Sequence, residues 1–263
     1  MRVTLLGTGG SAGVPLIGGT DGSGNWGVCD PAETRNRRTR TSIVIESAHG
    51  QRLLVDTSPD MRNQLLACRV PSVDAVLYTH PHADHITGLD DVRILNRIAG
   101  RPLDAFATKG TLEELGRRFS YAFRPWQPPD FFRPVMVARE VSGGETIGVA
   151  GMAIRLIDQD HGFSHSLGLR IGGFGYSTDV VNLDETALDA LTGVDTWVVG
   201  CFLRHEVHRT HANLHQVLDW TRRLRPRRTV LTHMGTDMDW GWLTANLPAG
   251  IEPGYDGMVL DLT

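Results

Sequence analysis

The sequence predicts an α/β protein with αββα layering, on two observations. Strand-like apolar runs and amphipathic helices occur in both halves of the chain, which suits paired sheets with helices outside them. Four of the strand-like runs stop at a histidine or an aspartate: His80, His161, Asp179 and His233. With 263 residues and no break in composition, 1–263 is expected to form a single domain.

"RVTLL" (Arg2 to Leu6) is strand-like and runs into a loop with nine glycines between Gly7 and Gly27. "GTGGSA" in this loop imitates a G-x-G-x-x-A dinucleotide fingerprint, but Pro15 and further glycines follow where a helix would have to open. "TSIVIES" and "RLLVDTS" predict two strands around the turn "AHGQ". "PDMRNQLLAC" predicts a helix, with Met61, Leu65 and Leu66 at helical spacing. "VDAVLYT" is the next strand. "GLDDVRILNRIA" and "GTLEELGRRFSYAF" are helical, separated by a short strand at "LDAFAT". Pro125, Pro128 and Pro129 make Arg124 to Arg133 an irregular surface loop. "MAIRLIDQD" is a strand ending at His161, "SLGLRIGGFGYST" a hairpin ending at Asp179, and "TWVVGCF" a further strand. "NLHQVLDWTRRLRP" carries a capping box, Asn213 with Gln216, then late arginines and Pro226 as a stop. "RTVLTH" ends in His233, and "YDGMVLDLT" closes the chain as a final strand.

Bulk properties narrow the function. The apolar share of 41% supports a sizeable core, and the net charge of −4 argues against a general nucleic-acid binder. Three widely spaced cysteines, Cys29, Cys68 and Cys201, give no disulfide framework and point to a reducing compartment. The apolar stretch at the N-terminus is too short for a signal peptide, and no 18-residue apolar run follows. The expectation is a cytoplasmic protein without a membrane partner.

The chemistry is concentrated in "YTHPHADHITGLDD", Tyr78 to Asp91, which adds His82, Asp84 and His85 to the four strand ends. Neutral imidazoles and carboxylates suit zinc, manganese or iron, and the lack of cysteine ligands argues against a closed structural zinc site. Seven ligands are too many for one tetrahedral ion. They suit two divalent ions that share a bridging carboxylate. His165 competes with His161 as the third histidine; His161 is preferred because it directly ends its strand.

The spacing His80-Pro-His82-Ala-Asp84-His85 after an apolar strand resembles the signature of the metallo-β-lactamase superfamily. Asp56, ending "LLVD", matches an acidic residue of that fold. The resemblance implies the four-layer αββα fold, with two mixed sheets face to face. It implies His80, His82 and His161 on one ion, Asp84, His85 and His233 on the other, and Asp179 between them. "GTGGSAGVP", "WGVCDP", "RNRRTRTS", "DTSPDMRNQLL", "THANLHQVLDW", "LTHMGTDMD" and "YDGMVL" together resemble the PhnP-like phosphodiesterases, kin to ribonuclease Z. Some of these carry a Cys-x-Cys-x-x-Cys cluster for an accessory zinc; here that loop holds Cys29 alone.

The resemblance implies hydrolysis of cyclic or nucleotide-type phosphodiesters by metal-activated water, with Asp84 and His211 as catalytic residues. His211, in "HAN", resembles the family's non-ligand catalytic histidine, and a near-neutral pKa would suit it to protonate the leaving oxygen. Arg38 and Arg40 in "RNRRTR" are either internal ion-pair partners or a phosphate clamp. Trp240 and Trp242 are core residues or a base-stacking surface. Arg38, Arg40, His211 and Trp240 are therefore the candidate substrate-binding residues. His205, His208 and His215 complete a loose histidine cluster around His211. The expected partner is a small phosphodiester or nucleotide, not a standing nucleic acid; a homodimer is left open. Alternatives are a thioester or lactone hydrolase, a ribonuclease Z-like nuclease, and an RNA-binding module with structural metals.

Overall fold

Two seven-stranded mixed sheets organise the chain in a computed structural model that describes residues 1–262. In chain order the strands are β1 (Arg2–Gly7), β2 (Ser42–Glu46), β3 (Arg52–Val55), β4 (Ala75–Leu77), β5 (Leu103–Ala107), β6 (Met136–Glu140), β7 (Thr146–Val149), β8 (Met152–Asp160), β9 (His165–Ile171), β10 (Phe174–Ser177), β11 (Thr196–Gly200), β12 (Arg228–Thr232), β13 (Ile251–Pro253) and β14 (Val259–Asp261). The first sheet has the order β14-β1-β2-β3-β4-β5-β6 and the second β13-β12-β11-β10-β9-β8-β7. β3 to β6 are parallel neighbours, as are β10 to β13. Thr263, the last residue of the predicted final strand, lies outside the described residues.

The sheets meet through one apolar layer. Leu5, Ile43, Leu53 and Leu77 of the first face Ile154, Leu156, Leu169 and Val198 of the second. Fully burying each such side chain contributes roughly 1.5–3 kcal/mol. The α-helices among the described residues are α1 (Met61–Ala67), α2 (Ala83–Ile86), α3 (Val92–Ala99), α4 (Lys109–Arg118), α5 (Glu185–Leu191), α6 (Leu214–Leu224) and α7 (Trp240–Asn246). Leu65, Leu95 and Leu115 of α1, α3 and α4 pack on the outer face of the first sheet. Leu188, Val217 and Leu243 of α5, α6 and α7 pack around Trp197 and Leu231 of the second. This is the four-layer αββα arrangement expected from the sequence.

Every predicted strand and helix among the described residues is present, with two refinements. The helix expected over "GTLEELGRRFSYAF" divides, because Phe119 leaves helical space (φ −123°, ψ 42°) and a 3-10 turn, Ser120–Phe123, follows. "GLDD" is likewise a 3-10 turn ahead of α3. The capping box at Asn213 forms with both of its hydrogen bonds. β6, β7, β13, α2, α5 and α7 are additional to the sequence reading.

Candidate metal centre

β8, β10 and β12 run in one direction, so their carboxyl ends lie on one edge of the second sheet. They deliver His161, Asp179 and His233. β4 delivers the histidine motif from the first sheet, and the Leu167 N–H donates to the Thr79 carbonyl across the gap at 2.9 Å. Carboxyl ends of parallel strands are the usual place for a site in α/β sheets, because rigid backbone there gives way to open loop.

The motif leaves β4 and winds at once into α2. The Thr57 N–H donates to the His85 carbonyl at 2.8 Å, and the Gly88 N–H donates to the Thr57 carbonyl at 2.9 Å. A Cβ at Gly88 would stand 2.0 Å from the Ser58 carbonyl oxygen, so only glycine permits this approach. Asp56, Asp179 and His233 have φ of 64°, 44° and 53°, a region that L residues seldom adopt. All three lie just beyond a strand and turn into the site.

Atoms of His80, His82, His161 and Asp179 lie within 4.8 Å of one another, as do atoms of Asp84, His85, Asp179 and His233. Asp179 belongs to both groups, one oxygen to each. Its Oδ2 is 3.6 Å from Nε2 of His80 and of His161. Its Oδ1 is 3.2 Å from Nε2 of His85 and of His233. The outer nitrogens of three histidines are anchored. His85 Nδ1 is 2.7 Å from Asp56 Oδ2, His161 Nδ1 is 2.6 Å from the Thr210 carbonyl, and His80 Nδ1 is 3.0 Å from Thr79 Oγ1. Asp56 also accepts from the Thr79 backbone N–H and hydroxyl, each at 2.8 Å. These contacts fix the rings and leave Nε2 facing inward, the arrangement metal-binding histidines need.

The inward atoms fit cations. Asp84 Oδ2, Asp179 Oδ2 and Nε2 of His85 and His233 are buried without a hydrogen-bond partner among the described residues. Each such atom costs about 1–3 kcal/mol if left unpaired, and a cluster of them around one space fits ions that they would ligate. Burial, helped by the neighbouring His85, holds His80 well below the ordinary histidine range, and burial lowers His161. Both are therefore neutral, as ligands must be. At Asp179 and Asp84 burial opposes ionisation, but nearby histidines outweigh it and hold both carboxyls below their usual range. His85 goes the other way: burial disfavours its charge, but Asp179 and Asp56 prevail and raise it.

His165, the competing third histidine, is exposed and pairs with Asp158 at 3.1 Å, outside both groups. His211 stands beside the centre, its ring stacked on His233 at 4.7 Å and its Nδ1 3.8 Å from Asp179 Oδ2. Its expected near-neutral pKa needs correction: burial and the nearby His233 push it down to about 3, so it is neutral in the free site.

Three expected substrate contacts are engaged by other groups of the protein. Arg38 is buried, donating to the Met238 carbonyl at 2.7 Å and more loosely to Gly235 and Asn36. It joins the N-terminal loop to the segment after His233 and cannot reach a ligand. Arg40 is held by Asp60 at 3.0 Å. Trp240 lies under Arg35, with the guanidinium 4.5 Å from its ring centre, and meets Tyr255 edge-on. Arg35 pairs with Glu33, and Arg37 covers Trp26. Arg38 of the arginine run is thus an internal brace, while Arg35 and Arg37 are exposed and Arg40 is half-buried in its ion pair. Cys29 is buried, its thiol 3.4 Å from the Thr236 carbonyl. Sequence reasoning missed the anchoring roles of Thr79 and Thr210. Thr79 lies inside the quoted motif, but a backbone carbonyl such as that of Thr210 leaves no trace in sequence.

A family model for the beta-lactamase superfamily domain matches residues 51–234. With the αββα fold and a His/Asp site of dinuclear type, the chain belongs to the metallo-β-lactamase superfamily. Within that superfamily it is of the PhnP kind: a crystal structure of a diphosphatase from the PhnP family superposes with a TM-score of 0.87 at 31% identity, covering 100% of this chain and 98% of the other. The octanoyltransferase of Porphyromonas gingivalis (strain ATCC BAA-308 / W83) is 32% identical over 260 residues, 98% of this chain but 51% of that protein, so the chain spans about half of it. The anti-Pycsar protein Apyc1 of Bacillus phage BSP38 is 28% identical over 221 residues, covering 75% of this chain and 83% of the relative.

Proposed function

We propose that this protein hydrolyses phosphodiesters of the cyclic or nucleotide type at a dinuclear metal centre. The observation that carries the reading is Asp179, which gives one carboxylate oxygen to each of two histidine-rich groups. His80, His82 and His161 would hold one ion, and Asp84, His85 and His233 the other. Two such ions, when bound, supply Lewis acidity toward phosphoryl oxygens and an acidified water at neutral pH.

The chain's own residues do the rest. Asp56, Thr79 and Thr210 orient the imidazoles. Asp84 and Asp179 keep negative charge inside the site and so limit the excess positive charge. His211 lies at the edge of the centre, where it can serve the leaving oxygen. An anionic substrate beside it would act in the same sense as Asp179 and favour its protonated form. Hydrolysis of a diester yields a dianionic monoester, a poorer target for a second attack, so diesters should outpace monoesters.

Support for phosphorus chemistry comes from the PhnP-family structure. Because that relative is a diphosphatase, cleavage of a diphosphate linkage is a second reading. The octanoyltransferase relative, about twice as long, makes an acyl substrate a necessary comparison. The test is a panel of cyclic nucleotides, linear diesters, dinucleoside diphosphates and acyl esters, with metal content measured on the same sample. Diesters should lead. Lactone or thioester turnover well above every phosphorus substrate would overturn the reading.

A further inference from the structure

His85, His233, His211 and His208 form a column of imidazoles that leads out of the metal centre. Successive centroids are 5.9, 4.7 and 5.0 Å apart, with planes inclined by 17°, 24° and 33°. The column begins at fully buried His85 and ends at part-exposed His208. Phe202 lies against both outer members, 5.3 Å from His208 and 5.0 Å from His211. The His208 ring is fixed by Thr210, whose hydroxyl is 3.2 Å from its Nδ1.

Two turns meet beside the end of this column. The His161 N–H donates to the Ser164 carbonyl at 3.0 Å, closing a tight turn with Phe163 at its tip. Gly162 has φ of 77°, and a Cβ there would be 2.4 Å from the Arg209 carbonyl oxygen, so this turn lies directly against the segment that carries Val207 and His208. Phe163 is 84% exposed and Val207 87%. A single exposed apolar side chain needs no explanation. Here two stand on abutting turns, and each turn is continuous with a histidine of the centre, His161 or His211.

We propose that Phe163, Val207 and the outer face of His208 form a subsite for the nucleobase of the nucleoside that carries the leaving oxygen. The inference rests on the phosphodiester reading above. A flat ring would extend the imidazole column, as any base can through its π face, and the two apolar side chains would cover it. The subsite adjoins His211, the residue placed to serve the leaving oxygen, which assigns it to the nucleoside whose ribose carries that oxygen.

The test compares adenosine 2′,3′-cyclic phosphate with the cyclic phosphate of methyl riboside, which lacks the base, on the wild-type protein and on Phe163→Ala and Val207→Ser. The wild-type protein should prefer the nucleoside in kcat/KM by roughly tenfold, the scale of one base–aromatic stack. Each substitution should shrink that ratio toward one with the thermal midpoint unchanged, since both side chains are exposed. A preference that survives both substitutions, or no preference in the wild type, overturns the subsite. Calorimetry on the metal-loaded protein with adenosine 3′-monophosphate and its base-free analogue provides a second readout. If neither cyclic phosphate is hydrolysed, the phosphodiester reading fails, and calorimetry still decides the subsite. Base-dependent affinity lost in Phe163→Ala supports it; equal affinity for the two compounds removes it.

Discussion

Asp56 touches no space that a substrate could enter, yet it holds His85 Nδ1 at 2.7 Å and ties Thr79 to the same carboxylate. Asp56→Asn should weaken binding of one ion by roughly 10–100-fold, the usual effect of removing a group that orients a ligand. Metal titration is the check, and two ions bound as tightly as in the wild type would show that His85 needs no such support. His211 has a different signature. If it protonates the leaving oxygen, His211→Ala should lower kcat by about 10²–10⁴-fold for alkyl leaving groups and much less for p-nitrophenyl esters, which leave without a proton. Equal loss on both would assign it a neutral hydrogen-bonding role, and loss of an ion would make it structural. Arg38 illustrates what a sequence conceals. Its charge and its neighbours Arg35, Arg37 and Arg40 leave internal pairing and a phosphate clamp both open, and the structure gives it carbonyl partners about 200 positions away, on Gly235 and Met238. Burial of an arginine is decided by such remote groups. Arg38→Ala should therefore cost roughly 1.5–3 kcal/mol, the range for hydrogen bonds to a charged group, read as a lower denaturation midpoint with KM unchanged.

The elements legible in the sequence are those with strong local signals. α6 has a cap, a capping-box partner, late arginines and a proline stop, and its bounds agree with the structure. β6 gave no such signal, because four of its five residues, in "MVARE", are exposed and lack the alternation of a half-buried strand. β13 has three residues and ends in a proline. α5 was legible in principle, since Asp184 caps the Ala187 N–H and Glu185 occupies the first turn, but it has only seven residues between loops. α6 also matters to the site, because its cap follows His211 by two residues. Asn213 receives the Gln216 N–H and reaches the carbonyls of His205 and Glu206, tying the His211 segment to the helix start. Asn213→Ala should cost about 1 kcal/mol. Chemical denaturation measures that term. The hydrolytic rate should fall by more than the stability loss explains if the cap also positions His211.

Across the whole molecule, the site is a seam between two sheets. The first contributes Asp56 and the histidine motif, and the second contributes His161, Asp179 and His233. Direct ties across the seam are backbone hydrogen bonds such as Leu167 to Thr79 and Gly10 to Met234, with the shared apolar layer beneath them. The motif could be read because its ligands are close in sequence. The joining of His161, Asp179 and His233 to it could not be read from spacing alone, since it depends on how the sheets face each other. Ions held by residues of both sheets would therefore act as a clasp. Binding the folded chain and not the unfolded one, they would add RT ln(1 + [L]/Kd), about 2.7 kcal/mol when free metal is a hundredfold above Kd. For a chain of this size that corresponds to a rise in Tm of roughly 5–10 °C. Chelation should remove the rise. Asp179→Asn should reduce it in the presence of metal, because the shared carboxylate loses its charge at both positions. Differential scanning calorimetry with and without chelator makes the comparison. A wild-type Tm that ignores metal, or an Asp179→Asn protein with the full shift and two ions by elemental analysis, would remove the clasp and leave Asp179 without its bridging role.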